Sequence, residues 1–115
     1  MDTLGELTRQ IVAFRDERDW KQFHSPRNLA ASISIEAAEL LECFQWSSDE
    51  TIAEDVEKRR GEIEEEIADV LIYTLLLAHD TGIDPIAAIE RKLAANDAKY
   101  PAEKAKGSRR KYTEL

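Results

Sequence analysis

Apolar residues recur at intervals of three and four along almost the whole chain, and no stretch alternates convincingly with a period of two. That spacing lines one face of an α-helix and does not suit a half-buried strand. The usual breakers are scarce, with 4 Gly and 3 Pro in 115 residues, which excludes a sheet-rich fold or long loops. Leu4, Leu7, Ile11 and Phe14 predict a first helix over residues 3–18, with Thr3 and Glu6 at capping-box spacing. Residues 19–24 read as a connector. Ser25-Pro26 then starts a second helix, as N-cap and first helical position, which carries Leu29, Ile33, Leu40 and Phe44 on one stripe to about residue 44. Residues 45–48 break the pattern, and Ser47 with Glu50 has the spacing of a second capping box.

Residues 49–81 are helix-compatible in two pieces, divided near Gly61, the second running over about 55–81. That second piece becomes apolar nearly all round at residues 70–78, VLIYTLLLA, as expected of a central, buried helix. Gly82 ends it, Asp84-Pro85 starts a last helix over about 85–99, and Pro101 stops that one. The expected architecture is all-α, a bundle of four or five helices around the apolar one. With no internal repeat and no shift in composition, residues 1–101 form one domain and 102–115 a charged tail, expected to be mobile.

Charge and cysteine content narrow the function. The 24 acidic residues against 16 basic ones give a net charge of −8, which argues against nucleic acid as a partner. No apolar run approaches the ~18 residues of a membrane span, and Met1-Asp2-Thr3 does not open a secretory signal, so no membrane partner and a cytoplasmic location are expected. A single cysteine, Cys43, excludes an internal disulfide and a cysteine-built zinc site and reads as a buried small hydrophobe.

The informative acids are those on the wrong face. Glu36 and Glu39 lie three apart within or beside the apolar stripe of the second helix, and Glu66 and Asp69 flank Ile63, Val70 and Leu77 on the apolar one, with Tyr73 on the same side. Either pair alone reads as ordinary solvated surface. Two such pairs on adjacent helices, both beside apolar stripes, place four carboxylates in one seam. There they must either take up protons or neutralise a cation. Oxygen-only ligands suit a hard divalent ion, Mg²⁺ or Mn²⁺, and Mg²⁺ is commonly completed by substrate phosphates. A di-iron carboxylate bundle expects Glu-x-x-His, a spacing that His24 and His79 do not supply.

EAAE at 36–39 followed by EIADVLIY at 66–73 resembles the signature of the all-α NTP pyrophosphohydrolases, the MazG-like group. The strings ERDWKQFHSPRNL (17–29), FQW (44–46) and KLAANDAKYP (92–101) are most similar to its dCTP pyrophosphatase branch. The resemblance covers about residues 4–101. It implies Mg²⁺, with Mn²⁺ as a substitute, held by Glu36, Glu39, Glu66 and Asp69. It also implies water attack on the α-phosphorus of a nucleoside triphosphate, with Glu36 or Glu39 as general base. Trp20, Phe23, His24, Trp46 and Tyr73 would enclose base and sugar, and Lys92, Asn96 and Lys99 would meet the phosphates. His79 receives no role. The resemblance implies a bundle completed between subunits, a homodimer at least and a tetramer as a dimer of dimers, which suits a chain too short to cover its apolar surface. The pattern departs from the vertebrate branch at Ile11, where those relatives place a base-side histidine. A broad-specificity NTP pyrophosphatase and a catalytically silent helical metal-binding or regulatory oligomer are the competing readings.

Overall fold

The computed structural model describes residues 3–115, which form two compact units, one ending at Gly82 and the other spanning Ile83–Leu115. The first unit contains α1 (Thr3–Glu17), α2 (Pro26–Glu42), α3 (Ile52–Lys58) and α4 (Arg60–Asp80), with a short 3-10 turn at Lys21–Phe23. The second contains α5 (Pro85–Lys99), the one-turn α6 (Ala102–Ala105) and a 3-10 turn at Tyr112–Glu114. No strand occurs among the described residues, and no single helix among them is long and apolar enough to cross a membrane.

The helix starts follow the local chemistry. Ser25 caps α2, its hydroxyl accepting from the Asn28 amide at 3.1 Å, with Pro26 in the first turn. Asp84 caps α5 by accepting from Ile86 and Ala87. Thr3 is already helical, so the cap position of α1 falls outside the described residues. Gly82 adopts a φ of 69° just beyond α4, the left-handed conformation that glycine takes without steric penalty at a helix C-terminus. Asp19 reaches φ 54° in the connector, where Gln22 donates to both its carbonyl and its carboxylate.

Two boundaries differ from the sequence reading. Ser47 does not cap a helix. Its hydroxyl donates to Asp55 Oδ2 at 2.7 Å, while Ser48 and Thr51 bond each other across the turn and α3 begins at Ile52. The break between α3 and α4 falls at Arg59, and Gly61 lies inside α4. A glycine lowers helix propensity by only ~1 kcal/mol, too little to set a boundary that the packing of neighbouring helices opposes.

α4 is central in the first unit, packing on α2, α1 and α3. It is not buried all round, as the sequence implied. Leu75 and Leu76 are buried with Leu29 and Cys43, whereas Leu71 is 55% exposed and Ile67 44%. Three helices in one unit cannot wrap a fourth completely, so part of the apolar surface stays open. The Cys43 thiol is buried and directed at the Glu39 carbonyl, in keeping with a packing role. Between α1 and α4 runs an ion pair that helical periodicity did not anticipate. Arg15, 1% exposed, makes a two-pronged bond to Asp80 at 2.7 and 2.8 Å.

In the second unit, the segment after Pro101, read from sequence as a tail, returns to the end of α5. Tyr112 packs edge-on against Tyr100 at 6.1 Å, and the Lys99 ammonium stands 5.1 Å from the Tyr112 ring.

Candidate active site

α2 and α4 form the main helix contact of the first unit, and the carboxylates meet along it. Glu36 and Glu39 come from α2 and Glu66 from α4, and one oxygen from each lies within 4.8 Å of the others. Glu36 and Glu66 are half-buried, and each keeps one buried oxygen, Oε2, without a hydrogen-bond partner. Burial pushes the Glu36 carboxyl up to about 7, reinforced by a hydrogen bond with Glu39 and by the charges of Glu39, Asp69 and Glu66. Glu66 is raised for the same first reason, burial, then by Glu39 and Asp69. Asp69 is half-buried and bears on both groups electrostatically, but it stands outside the closest set of three oxygens.

Two unpartnered carboxylate oxygens in a repelling cluster form an arrangement that a cation would relieve. The donor set is all oxygen, which fits a hard divalent ion. The structure therefore brings together three of the four expected ligands and leaves the fourth within electrostatic reach.

A cavity of about 370 Å³ opens beside this cluster, sharing Glu39 and Glu66 and bounded further by Glu42, Cys43, Gln45, Trp46, Arg59 and Glu62. Its size lies in the range of small-ligand sites. Trp46, on the turn after α2, is 84% exposed and presents its indole there.

The other expected aromatic residues are dispersed. His24 packs edge-on against Tyr73 with ring centroids 6.2 Å apart. Burial, and then the Arg15 charge, hold His24 below its ordinary pKa, and its Nδ1 is buried without a partner. Trp20 instead stacks edge-on with Phe14 at 5.8 Å, where the Arg18 guanidinium lies 3.6 Å from the Phe14 ring, and Phe23 is exposed. Ile11 lines an apolar recess of about 290 Å³ with Leu7, Gln10, Phe14 and Ile72. In the second unit, Lys92, Asn96 and Lys99 recur on one side of α5, as their spacing requires, and Asn96 is half-buried.

Sequence reasoning missed Arg59 and Gln45 because both sit at helix junctions, where periodicity carries no directional information. Arg15 was visible in principle, as a charged residue four positions after Ile11 on the apolar side of α1.

Residues 31–115 match the model of the MazG-like family. Over 115 aligned residues the chain is 42% identical to dCTP pyrophosphatase 1 of Homo sapiens and 41% identical to that of Mus musculus. Each alignment covers 98% of this chain and 68% of the relative. The crystal structure of a pyrophosphatase from Archaeoglobus fulgidus is similar, with a TM-score of 0.85 and 52% identity over 88% of this chain and 94% of that one. Paired acids on two packed helices, an all-α fold and near-full-length identity agree: the chain belongs to the MazG-like family.

Proposed function

We propose that the chain is a Mg²⁺-dependent nucleoside triphosphate pyrophosphohydrolase. Its substrates are dCTP or related and modified pyrimidine deoxynucleotides, cleaved to the monophosphate and pyrophosphate in the upkeep of cytoplasmic nucleotide pools. The observation that carries this reading is the trio of Glu36, Glu39 and Glu66, with two buried oxygens left unpartnered beside a ligand-sized cavity. The relatives named dCTP pyrophosphatase 1 support the reaction class.

Glu36, Glu39, Glu66 and Asp69 would hold the ion. Once bound, a divalent cation offsets negative charge on phosphate oxygens. The chain's own residues do the rest. As the new O–P bond forms at the α-phosphorus and the bond to the bridging oxygen breaks, the proton of the attacking water passes to a carboxylate of α2, Glu36 or Glu39. The departing pyrophosphate carries away the electron pair of that broken bond. The Trp46 indole and the His24–Tyr73 pair offer ring surfaces for base and sugar, with Trp20 and Phe23 completing the aromatic set. Lys92, Asn96 and Lys99 supply cationic and amide donors suited to phosphate. The active assembly is a homodimer or a dimer of dimers, in which a second copy covers the apolar surface left open on α4.

The test is pyrophosphate release from a panel of canonical and modified dNTPs and NTPs, with Mg²⁺ and with chelator. Release that requires Mg²⁺ and favours cytidine deoxynucleotides is the expected outcome. Release across many bases would keep the chemistry and assign broad specificity. No release from any of them would leave a silent helical module.

A further inference from the structure

Arg59 lies at the break between α3 and α4, in a backbone held from both sides. Its amide donates to the Asp55 carbonyl at 3.0 Å, and its own carbonyl accepts from Ile63 at 2.9 Å. Its neighbours are engaged: Lys58 pairs with Glu54 at 3.0 Å and Arg60 with Glu57 at 2.6 Å. Among the described residues Arg59 has no partner within ion-pair distance. Asp55, one turn back on α3, feels the Arg59 charge but forms no ion pair with it; its carboxylate accepts from the Ser47 hydroxyl at 2.7 Å. Arg59 borders a small recess with Ser47 and Asp55 and also lines the cavity that contains Glu39 and Glu66 of the carboxylate cluster, where it is the one basic residue, against Glu39, Glu42, Glu62 and Glu66.

A polyphosphate entering so acidic a cavity meets repulsion that a cation among the carboxylates offsets only at one end. The remaining phosphate oxygens need donors at the other. A guanidinium with no ion-pair partner, on a fixed backbone, presents the planar fork that phosphate oxygens accept in two parallel bonds. We propose that Arg59 is a phosphate-binding residue of this site, contacting the pyrophosphate portion of the bound triphosphate and retaining it after cleavage. The assignment rests on the pyrophosphohydrolase reading and adds to it a residue from the α3–α4 junction.

The test is calorimetric titration of inorganic pyrophosphate into the full chain with Mg²⁺ present. The wild type is compared with Arg59→Ala and Arg59→Gln, and Mn²⁺ alone is titrated in parallel. Pyrophosphate Kd should rise about tenfold or more in both variants, the loss expected for a charge-assisted bond, with Mn²⁺ affinity within about twofold of wild type. kcat/KM for the best nucleotide should fall by a similar factor. Arg59→Gln keeps a long polar stem, so it carries the test if truncation to alanine disturbs the helix junction. An unchanged pyrophosphate Kd overturns the assignment. So does a parallel loss of Mn²⁺ affinity, which would make Arg59 a support of the carboxylate cluster. Wild-type protein that cleaves no nucleotide defeats the proposed function, whereas pyrophosphate binding reports on Arg59 whether or not turnover occurs.

Discussion

Glu36 concentrates the electrostatic tension of the molecule. Its carboxyl, raised from 4.5 to about 7, keeps a proton that the unfolded chain releases earlier. Between those two values the folded state therefore binds more protons than the unfolded one, and stability falls as pH rises. Metal-free protein should accordingly melt at a lower temperature at pH 8 than at pH 5.5. Added Mg²⁺ should raise Tm more at pH 8, where the carboxylates are ionised and binding displaces no proton. Thermal denaturation at both pH values, with chelator and with Mg²⁺, checks this. An equal Mg²⁺ increment at the two would contradict it. Glu36→Gln removes one of the opposed charges, so its metal-free Tm at pH 8 should match or exceed wild type. Its Mg²⁺-dependent hydrolysis should fall by about a hundredfold or more, the scale of losing a group that handles protons or charge at the reacting centre. Glu36 and its three companions were legible in the sequence because a charged residue inside an apolar stripe is conspicuous. That Glu36, Glu39 and Glu66 close on one another more tightly than Asp69 was not legible, because spacing gives a face and not a distance.

At the scale of helices, the fastening of α1 to α4 depends on the Arg15–Asp80 pair, whose side chains are almost wholly enclosed. The Arg15 hydrogen bonds hold Asp80 below the usual carboxylate range, so the pair contributes at neutral pH and is lost only when strong acid protonates Asp80. Arg15→Ala strands a buried carboxylate and should destabilise the protein by about 3–5 kcal/mol, read from urea unfolding. The double variant Arg15→Met/Asp80→Leu should recover much of that loss, since it leaves no unpaired charge. A fully destabilised double variant would mean that the two residues act separately. The helices themselves were predictable where a cap or stop is written locally, as at Ser25-Pro26, Gly82 and Asp84-Pro85. The start of α3 was misplaced because several hydroxyl residues before it could close the turn. Ser47 has the composition of a cap, but its hydroxyl is turned to donate to the Asp55 carboxylate eight residues on, and Ser48 and Thr51 close the turn in its place.

For the molecule as a whole, part of the apolar surface of α4 stays uncovered: Ile67 and Leu71 stand one turn apart, 44% and 55% exposed. A second copy covering them should make the protein at least dimeric by light scattering. Leu71→Glu should then shift it towards monomer and lower Tm by several degrees, whereas a monomeric wild type would reject the proposed assembly. The sequence by itself determined the all-α class, most helix ends, the acidic pairs and the family resemblance, because each is written in spacing, caps or short strings of residues close along the chain. It did not determine which carboxylates approach most closely, that Trp20 turns to Phe14 while His24 meets Tyr73, or that Arg59 shares a cavity with Glu39 and Glu66. Those relations join residues far apart along the chain or at helix junctions. They follow from how α1, α2, α3 and α4 pack, and periodicity within any one helix carries no information about that packing.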